Sequence, residues 1–443
     1  MKRLPLSVQI LYGVGVSYAI VDQIFAQWLL YFYLPPSSSS LEPLLPPILI
    51  SVALLIARFL DTILEPVVGF LSDRFSSRWG RRIPFMFLGS LPLSLSTIAF
   101  FYPVTSGGDL STFFYLATVG SLFFVFYTFV SGPYCALVPE IASSREDQLN
   151  LSMWQSIFRL IYTALAMILP GILIELFGQG DDLVGIRMMI ILLSAISFLG
   201  VIVCSLSINE RKYSGGKTFE MTFRQSFGII MKDRNYLIYL FGFLFFFLGF
   251  NTLRASMNYI VEDVMGYSTA YITLASGLLF GSAALSFVPI NKVCRKVGYK
   301  KPTLVFLAVL IVLTLTLFQV GKTLPGWFGF VLFVLMGPPV AGTAFIFPSA
   351  MVSEISAVYS ITKKLNIEGM LFGFQGIFLK FSFLISIAIL PLLLVWGSEL
   401  SFLESMMVTP EGVALKGVYS TTIFASISFF ISFLIYWFYQ DAR

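Results

Sequence analysis

The 443-residue chain has no histidine. That removes the commonest metal ligand and the usual near-neutral general base. Its three cysteines, Cys135, Cys204 and Cys294, lie in or beside apolar segments with no spacing that suggests a disulfide framework or a zinc site. Charge is also scarce. Only 12% of residues are Asp, Glu, Lys or Arg, where a soluble globular protein carries roughly 25%. No GxxxxGK[ST] loop is present, so an ATP-driven pump is disfavoured. A membrane enzyme would need a nucleophile or metal cluster that the sequence does not offer.

What replaces the missing charge is apolar. Hydrophobic residues make up 57% of the chain, and mean hydropathy is +0.88. A spanning helix needs about 20 apolar residues. Twelve such runs are expected, at 11–33, 44–71, 83–103, 112–140, 150–176, 185–208, 236–261, 268–291, 302–320, 327–353, 368–395 and 416–438. The first run is too long for a signal-peptide core and is read as a spanning helix. The expected fold class is therefore an all-α membrane protein. Two six-helix bundles, 1–208 and 236–443, are joined by a polar, basic linker at 209–235.

Lys and Arg accumulate on the cytoplasmic side of membrane proteins. With both termini cytoplasmic, the inner segments hold Arg74, Arg78, Arg81, Arg82, Lys292, Arg295, Lys300, Lys301, Lys363 and Lys364 among others. The outer loops hold only Lys322 and Lys416. The loop RWGRRIP (Arg78 to Pro84) is echoed six helices later by RKVGYKKP (Arg295 to Pro302). That echo is expected of a transporter built from related halves.

The informative charges sit inside the runs. ARFLDTILEP places Arg58, Asp61 and Glu65 on one helical face, with the two carboxylates about 6 Å apart at Cβ. Each unpaired charge at bilayer depth costs roughly 2.5–3.5 kcal/mol on insertion scales. A purely structural ion pair between Arg58 and one acid leaves the other acid over, so the group suits a further cation. That cation is either Na⁺ held by Asp61 and Glu65 or H⁺ taken up by one of them. Thr128 offers a neutral oxygen to the same ion. Lys380, deep in GIFLKFSF, suits charge balance and is too far from either helix end to snorkel easily.

Candidate solute contacts are Asp22, Gln27, Tyr31, Ser131, Tyr134, Trp154, Asn251, Arg254, Asn258 and Gln375, with Arg159 a weaker one. Asp73, Arg81, Arg82 and Glu354 are candidates for an inner gate. No cofactor is expected beyond the coupling ion. The expected partners are a small, sugar-like solute and membrane lipid, with no nucleic acid, and the chain is expected to be a monomer. The outer loops carry no N-glycosylation sequon, which fits a bacterial inner membrane.

GxxxD from Gly69 to Asp73, continued by GRR at Gly80 to Arg82, resembles the inner-loop signature of the major facilitator superfamily. RFLDTILEPVVGFLSDRFSSRWGRRIPF, VSGPYCALVPEI and NIEGMLFGFQGIFLKF resemble the glycoside-pentoside-hexuronide:cation symporters, the melibiose-permease-like transporters. The resemblance implies cation-site acids at Asp61 and Glu65, a cation-site threonine at Thr128 and a functional lysine at Lys380. It implies solute uptake driven by Na⁺ or H⁺ through alternating access. The family's galactoside-contacting aspartate and nearby tryptophan are replaced by Ser131 and Cys135, and an asparagine of the cation motif by Leu64, which argues against a galactoside. An uncoupled facilitator, a lysolipid-type carrier and a membrane receptor are the competing readings.

Overall fold

The computed structural model describes residues 4–75, 77–104, 108–142, 145–210, 232–362, 368–398, 401–410 and 412–441; within helices, some side chains, Glu65 and Asp73 among them, lie outside the description. In hydrocarbon, backbone N–H and C=O groups have no water to bond, so each crossing segment must satisfy its own. The chain does so with helices. Eleven described helical runs are long and apolar enough to cross a membrane, and Ile83–Ala99 is apolar but only 17 residues long.

The helices are α1 (Leu6–Tyr33), α2 (Pro47–Arg74), α3 (Ile83–Ala99), α4 (Gly108–Ile141), α5 (Arg145–Gly178) and α6 (Asp182–Ser207). They continue as α7 (Arg234–Val264), α8 (Ala270–Val297), α9 (Lys300–Leu317), α10 (Phe328–Val340, extended to Thr362), α11 (Glu368–Leu394) and α12 (Leu415–Trp437). A short helix, Phe402–Met407, lies between α11 and α12. The expected apolar runs fall within or across these helices. Several helices extend beyond them, because hydropathy marks the lipid-facing part and misses polar turns that continue the same hydrogen bonding. The third run ends early. After Ala99 the backbone tightens into i→i+3 bonds, Phe101 to Ile98 and Tyr102 to Ala99, ahead of Pro103.

Chain contacts divide the structure into two compact units. One contains α1–α6 with Leu403–Gly412, the other α7–α12 with Pro36–Ser38. The linker expected at 209–235 falls mostly on 211–231, outside the described residues.

In the first unit, small residues set how closely helices approach. Gly15, in a 3₁₀ segment of α1, lies against Cys204 of α6, and Gly200 of α6 lies against Ser17. The Ser17 hydroxyl donates to the Ser197 carbonyl across the same contact at 2.7 Å. In the second unit, Pro338 and Pro339 interrupt α10 just before a π-helical stretch, Ala341–Ile346. Proline lacks an N–H and crowds the preceding turn, so the ladder locally re-registers. The Thr343 hydroxyl takes up the Pro339 carbonyl at 2.7 Å.

Candidate functional site

The centre of the first unit is made where α2 meets α4. A Cβ on Gly120 of α4 would stand 2.9 Å from the Ala57 Cβ of α2, so the α4 backbone packs directly on the Ala57 methyl there. One turn beyond Ala57 comes Asp61, and two turns beyond Gly120 comes Thr128. The close approach brings the Thr128 hydroxyl to 2.7 Å from Asp61 Oδ1, to which it donates. Arg58 Nη1 donates to Asp61 Oδ2 at 3.1 Å. Asp61 is 0% exposed and Arg58 5%. The Arg58 guanidinium also lies 4.3 Å from the centroid of the Phe124 ring, whose face attracts a desolvated cation.

This arrangement satisfies both Asp61 oxygens while keeping the carboxylate in a water-poor position. It holds a negative charge, a positive charge and a neutral hydroxyl oxygen within hydrogen-bond reach. Such a set can take up a proton, or offer hard oxygen ligands to a small metal cation. Glu65 follows one turn further along α2, with its side chain outside the described residues. Among the described residues no cluster of three or more His, Cys, Asp or Glu side chains suits a metal ion.

Next to this centre lies a second polar group in the same unit. Tyr127, half-buried, is within electrostatic reach of Asp22, Arg159, Arg58 and Asp61. Its ring meets that of Tyr18 edge-on at 5.6 Å, and the Tyr18 hydroxyl lies 3.9 Å from Cys135 Sγ. Arg159 is within reach of Tyr18, Tyr127, Cys135 and Asp22. The fold thus gathers Asp22 and Arg159 at one place and adds Tyr18 and Tyr127, which the sequence did not single out. Both tyrosines are hidden in a chain with 20 of them.

The other candidates are distributed. Ser131 and Trp154 are half-buried, and the Trp154 ring packs near Phe158. Gln27 and Tyr31 are buried in α1, Tyr31 edge-on to Trp28. Tyr134 is taken up by packing: it stacks on Tyr12 at 4.5 Å, and each hydroxyl donates to the other's backbone carbonyl.

In the second unit, Asn251 Nδ2 donates to Ser382 Oγ at 3.4 Å, and the Thr252 and Ser386 hydroxyls lie 3.1 Å apart. Arg254 stands over the Phe383 ring at 5.5 Å. Asn258 is fully buried, while Gln375 and Lys380 are half-buried on α11. These contacts make a polar seam between α7 and α11.

The proposed gate arginines occupy the basic-loop end of the first unit. Arg82 Nε donates to Glu140 Oε1 at 2.8 Å, Arg81 Nη2 lies 3.3 Å from the same oxygen, and Arg82 Nη1 reaches Ser72 Oγ. Glu210, just after α6, accepts from the backbone N–H groups of Arg81, Arg82 and Ile83 at 2.8, 2.9 and 3.3 Å. These N–H groups lie at the start of α3, where no preceding helical turn supplies acceptors, and a carboxylate suits that end of the helix dipole. Gly80 makes the approach feasible. Its φ is +113°, and any Cβ there would collide with the Glu210 side chain. Neither Glu140 nor Glu210 stood out in the sequence, and the Asp73 side chain lies outside the described residues. Glu354 is half-buried near the end of α10, within reach of Tyr439.

A multi-pass membrane protein with a paired carboxylate sealed among its helices has the build of a solute transporter. The sequence profile described as MFS/sugar transport protein matches residues 11–440, and the chain belongs to that family. It is 28% identical to the inner membrane symporter YicJ of Escherichia coli over 64% of this chain and 61% of that protein. It is 25% identical to the lactose permease of Lactobacillus delbrueckii subsp. bulgaricus over 51% of this chain and 39% of that one. The chain thus spans less than two thirds of the length of these relatives. Among solved structures, a bacterial homologue of the lysosomal transporter Spinster superposes with a TM-score of 0.69 at 13% identity, covering 99% of this chain and 97% of that one. A D-xylose-proton symporter gives 0.65 at 14% identity, covering 99% and 98%. At such identities these likenesses establish the major facilitator fold.

Proposed function

We propose that the protein is a secondary active transporter that couples the downhill entry of Na⁺ or H⁺ to uptake of a sugar, glycoside or related small solute by alternating access. The observation that carries this reading is Asp61, a fully buried carboxylate held by Thr128 and Arg58. Its family setting agrees: relatives are named as symporters, one as a putative glycoside/cation symporter.

Arg58 acts as the internal counter-charge when no cation is bound. A cation arriving at Asp61 and Glu65 competes with the guanidinium for the carboxylate, and Thr128 contributes its oxygen. A proton would instead neutralise one acid directly. Either event changes the charge balance along α2, and the α2–α4 contact passes the change to the neighbouring Asp22, Tyr18, Tyr127 and Arg159 group, where the solute is held. Linkage then requires the solute to raise cation affinity by the same factor. Lys380 and the α7–α11 seam are assigned charge balance and solute contact in the second unit. The basic loops are placed on the cytoplasmic side of a bacterial inner membrane, and the working form is assigned as a monomer.

The test is uptake into proteoliposomes under an imposed Na⁺ or H⁺ gradient, scanning sugars and glycosides. Accumulation above equilibrium is expected for wild type and lost in Asp61→Asn and in Glu65→Gln. Gradient-driven accumulation that persists unchanged in both variants would sink the coupling assignment.

A further inference from the structure

Glu140 lies beyond the apolar stretch of α4, which ends at Val138, and its side chain is about nine-tenths buried. One oxygen, Oε1, receives both arginines. The other, Oε2, is buried with no hydrogen-bond partner. Beside it stands the Glu210 carboxylate. Glu210 is 2% exposed, and its two oxygens accept three backbone N–H groups at the start of α3. Two acceptor-only carboxylates in contact leave an orphaned oxygen, and a single proton satisfies it: on Glu140 Oε2, it becomes a donor to Glu210.

We propose that Glu140 and Glu210 bind one proton between them, forming a pH-sensing site separate from the Asp61 centre. Glu140 carries the proton, because both Glu210 oxygens already accept backbone N–H groups whereas Glu140 Oε2 accepts none. Protonation at Oε2 makes Glu140 a donor to Glu210, while Oε1 stays an acceptor for Arg81 and Arg82 without the carboxylate charge. The contact of the α2–α3 loop with α4 thereby changes from a charge-assisted pairing to a Glu140–Glu210 bond as pH falls. Transport would then respond to pH on the basic-loop side independently of which cation drives it.

The surrounding charges agree. From α2 the facing group is Ser72, with Arg74 exposed; the α2–α3 loop brings Arg81 and Arg82, with Arg78 exposed. The side chains of Asp73, Arg145 and Glu146 lie outside the described residues. Burial first, and then the Glu210 carboxylate, push the Glu140 carboxyl above its ordinary value of 4.5, against the opposing pull of Arg82.

The sign of the pH effect separates this site from a plain salt bridge. A carboxyl raised in the folded state gives stability that is fully present at low pH and is lost as pH rises through its folded value. An acid that only pairs with arginine does the reverse. Thermal unfolding of the full-length protein in detergent, followed from about pH 4 to pH 8, is compared between wild type and Glu140→Gln. Wild type is expected to melt below the variant at neutral pH, with the gap closing as pH falls. A gap independent of pH, or wild type losing ground to the variant as pH falls, would overturn the proposal. Should Glu140→Gln not fold, infrared spectra of wild type and Glu140→Asp decide. A protonated-carboxyl band whose titration midpoint shifts in Glu140→Asp supports the shared proton, and an identical titration in both overturns it. Neither measurement reads transport, so the result stands apart from the fate of the symport proposal.

Discussion

Replacing Asp61 by Asn removes the charge that pairs with Arg58 while keeping nearly the same shape. Removing one member of a buried ion pair typically costs about 3–5 kcal/mol, because the remaining charge is left buried. Two features moderate that figure here. Asn can still accept the Thr128 hydroxyl, so only the charge assistance of that bond is lost, about 1 kcal/mol. The Phe124 face, 4.3 Å from the guanidinium, retains part of its attraction for Arg58. The expectation for Asp61→Asn is therefore a loss near the lower end, about 3 kcal/mol. Adding Arg58→Met removes the stranded charge and fills its volume with an apolar chain. Most of the loss, about 2 kcal/mol, should return, leaving the double variant within about 1 kcal/mol of wild type. Denaturant and thermal unfolding of the four purified proteins measure this cycle. Gradient-driven uptake, read in parallel, should fail in both proteins that lack Asp61, including the double variant that regains stability. A double variant no more stable than Asp61→Asn would refute the pairing argument. Recovered accumulation in that double variant would refute the assignment of Asp61 to cation binding.

Two further substitutions test the backbone that positions these groups. Gly120→Val forces α2 away from α4, because even a Cβ stands 2.9 Å from Ala57. It should stretch the Asp61–Thr128 bond and weaken the cation half-saturation of uptake by about 10–100-fold, the equivalent of one hydrogen bond to a charged group; a folded variant with unchanged half-saturation would contradict this. Gly80→Ala places a side chain at φ +113° and against Glu210, so a stability loss of about 2 kcal/mol or more is expected from strain and a displaced cap together. Unfolding midpoints of Gly80→Ala and Glu210→Gln should then move in the same direction.

The sequence carried the helices because a bilayer leaves only one local solution to twenty apolar residues, and that solution reads as hydropathy. It carried Asp61 for the opposite reason, since a carboxylate stands out where everything around it is apolar. Thr128 was offered to the same ion as a neutral oxygen and again through the resemblance, and the structure gives the physical link: Gly120 lets α4 come within van der Waals reach of Ala57. Tyr18 and Tyr127 were not legible, because an aromatic that lines a polar site and one that packs a core share the same composition and spacing. Tyr134 shows the converse, a candidate contact that the fold uses in a stack with Tyr12. Glu140 and Glu210 were illegible for another reason. Each looks like an ordinary polar residue at a helix end, and their meaning appears only when chain segments 70 residues apart close on α3.

That closure also explains the echo between RWGRRIP and RKVGYKKP. Both loops carry a glycine with positive φ, Gly80 at +113° and Gly298 at +87°, two or three residues before the next helix, with basic residues between or at its start. In the first unit Glu210, after α6, caps the start of α3. In the second, Asp441, after α12, accepts from the Tyr299 and Lys300 N–H groups at 3.3 and 3.0 Å and so caps the start of α9. The same device recurs six helices apart: an acid beyond the last helix of a unit returns to the N–H groups at the start of its third. A positive-inside charge bias alone would require lysine and arginine in these loops. It would not require the glycines or the distant carboxylates. The basic loops are therefore better understood as capped helix starts, with Glu210 as the cap in the first unit, where the loop arginines also engage Glu140, and Asp441 as the cap in the second.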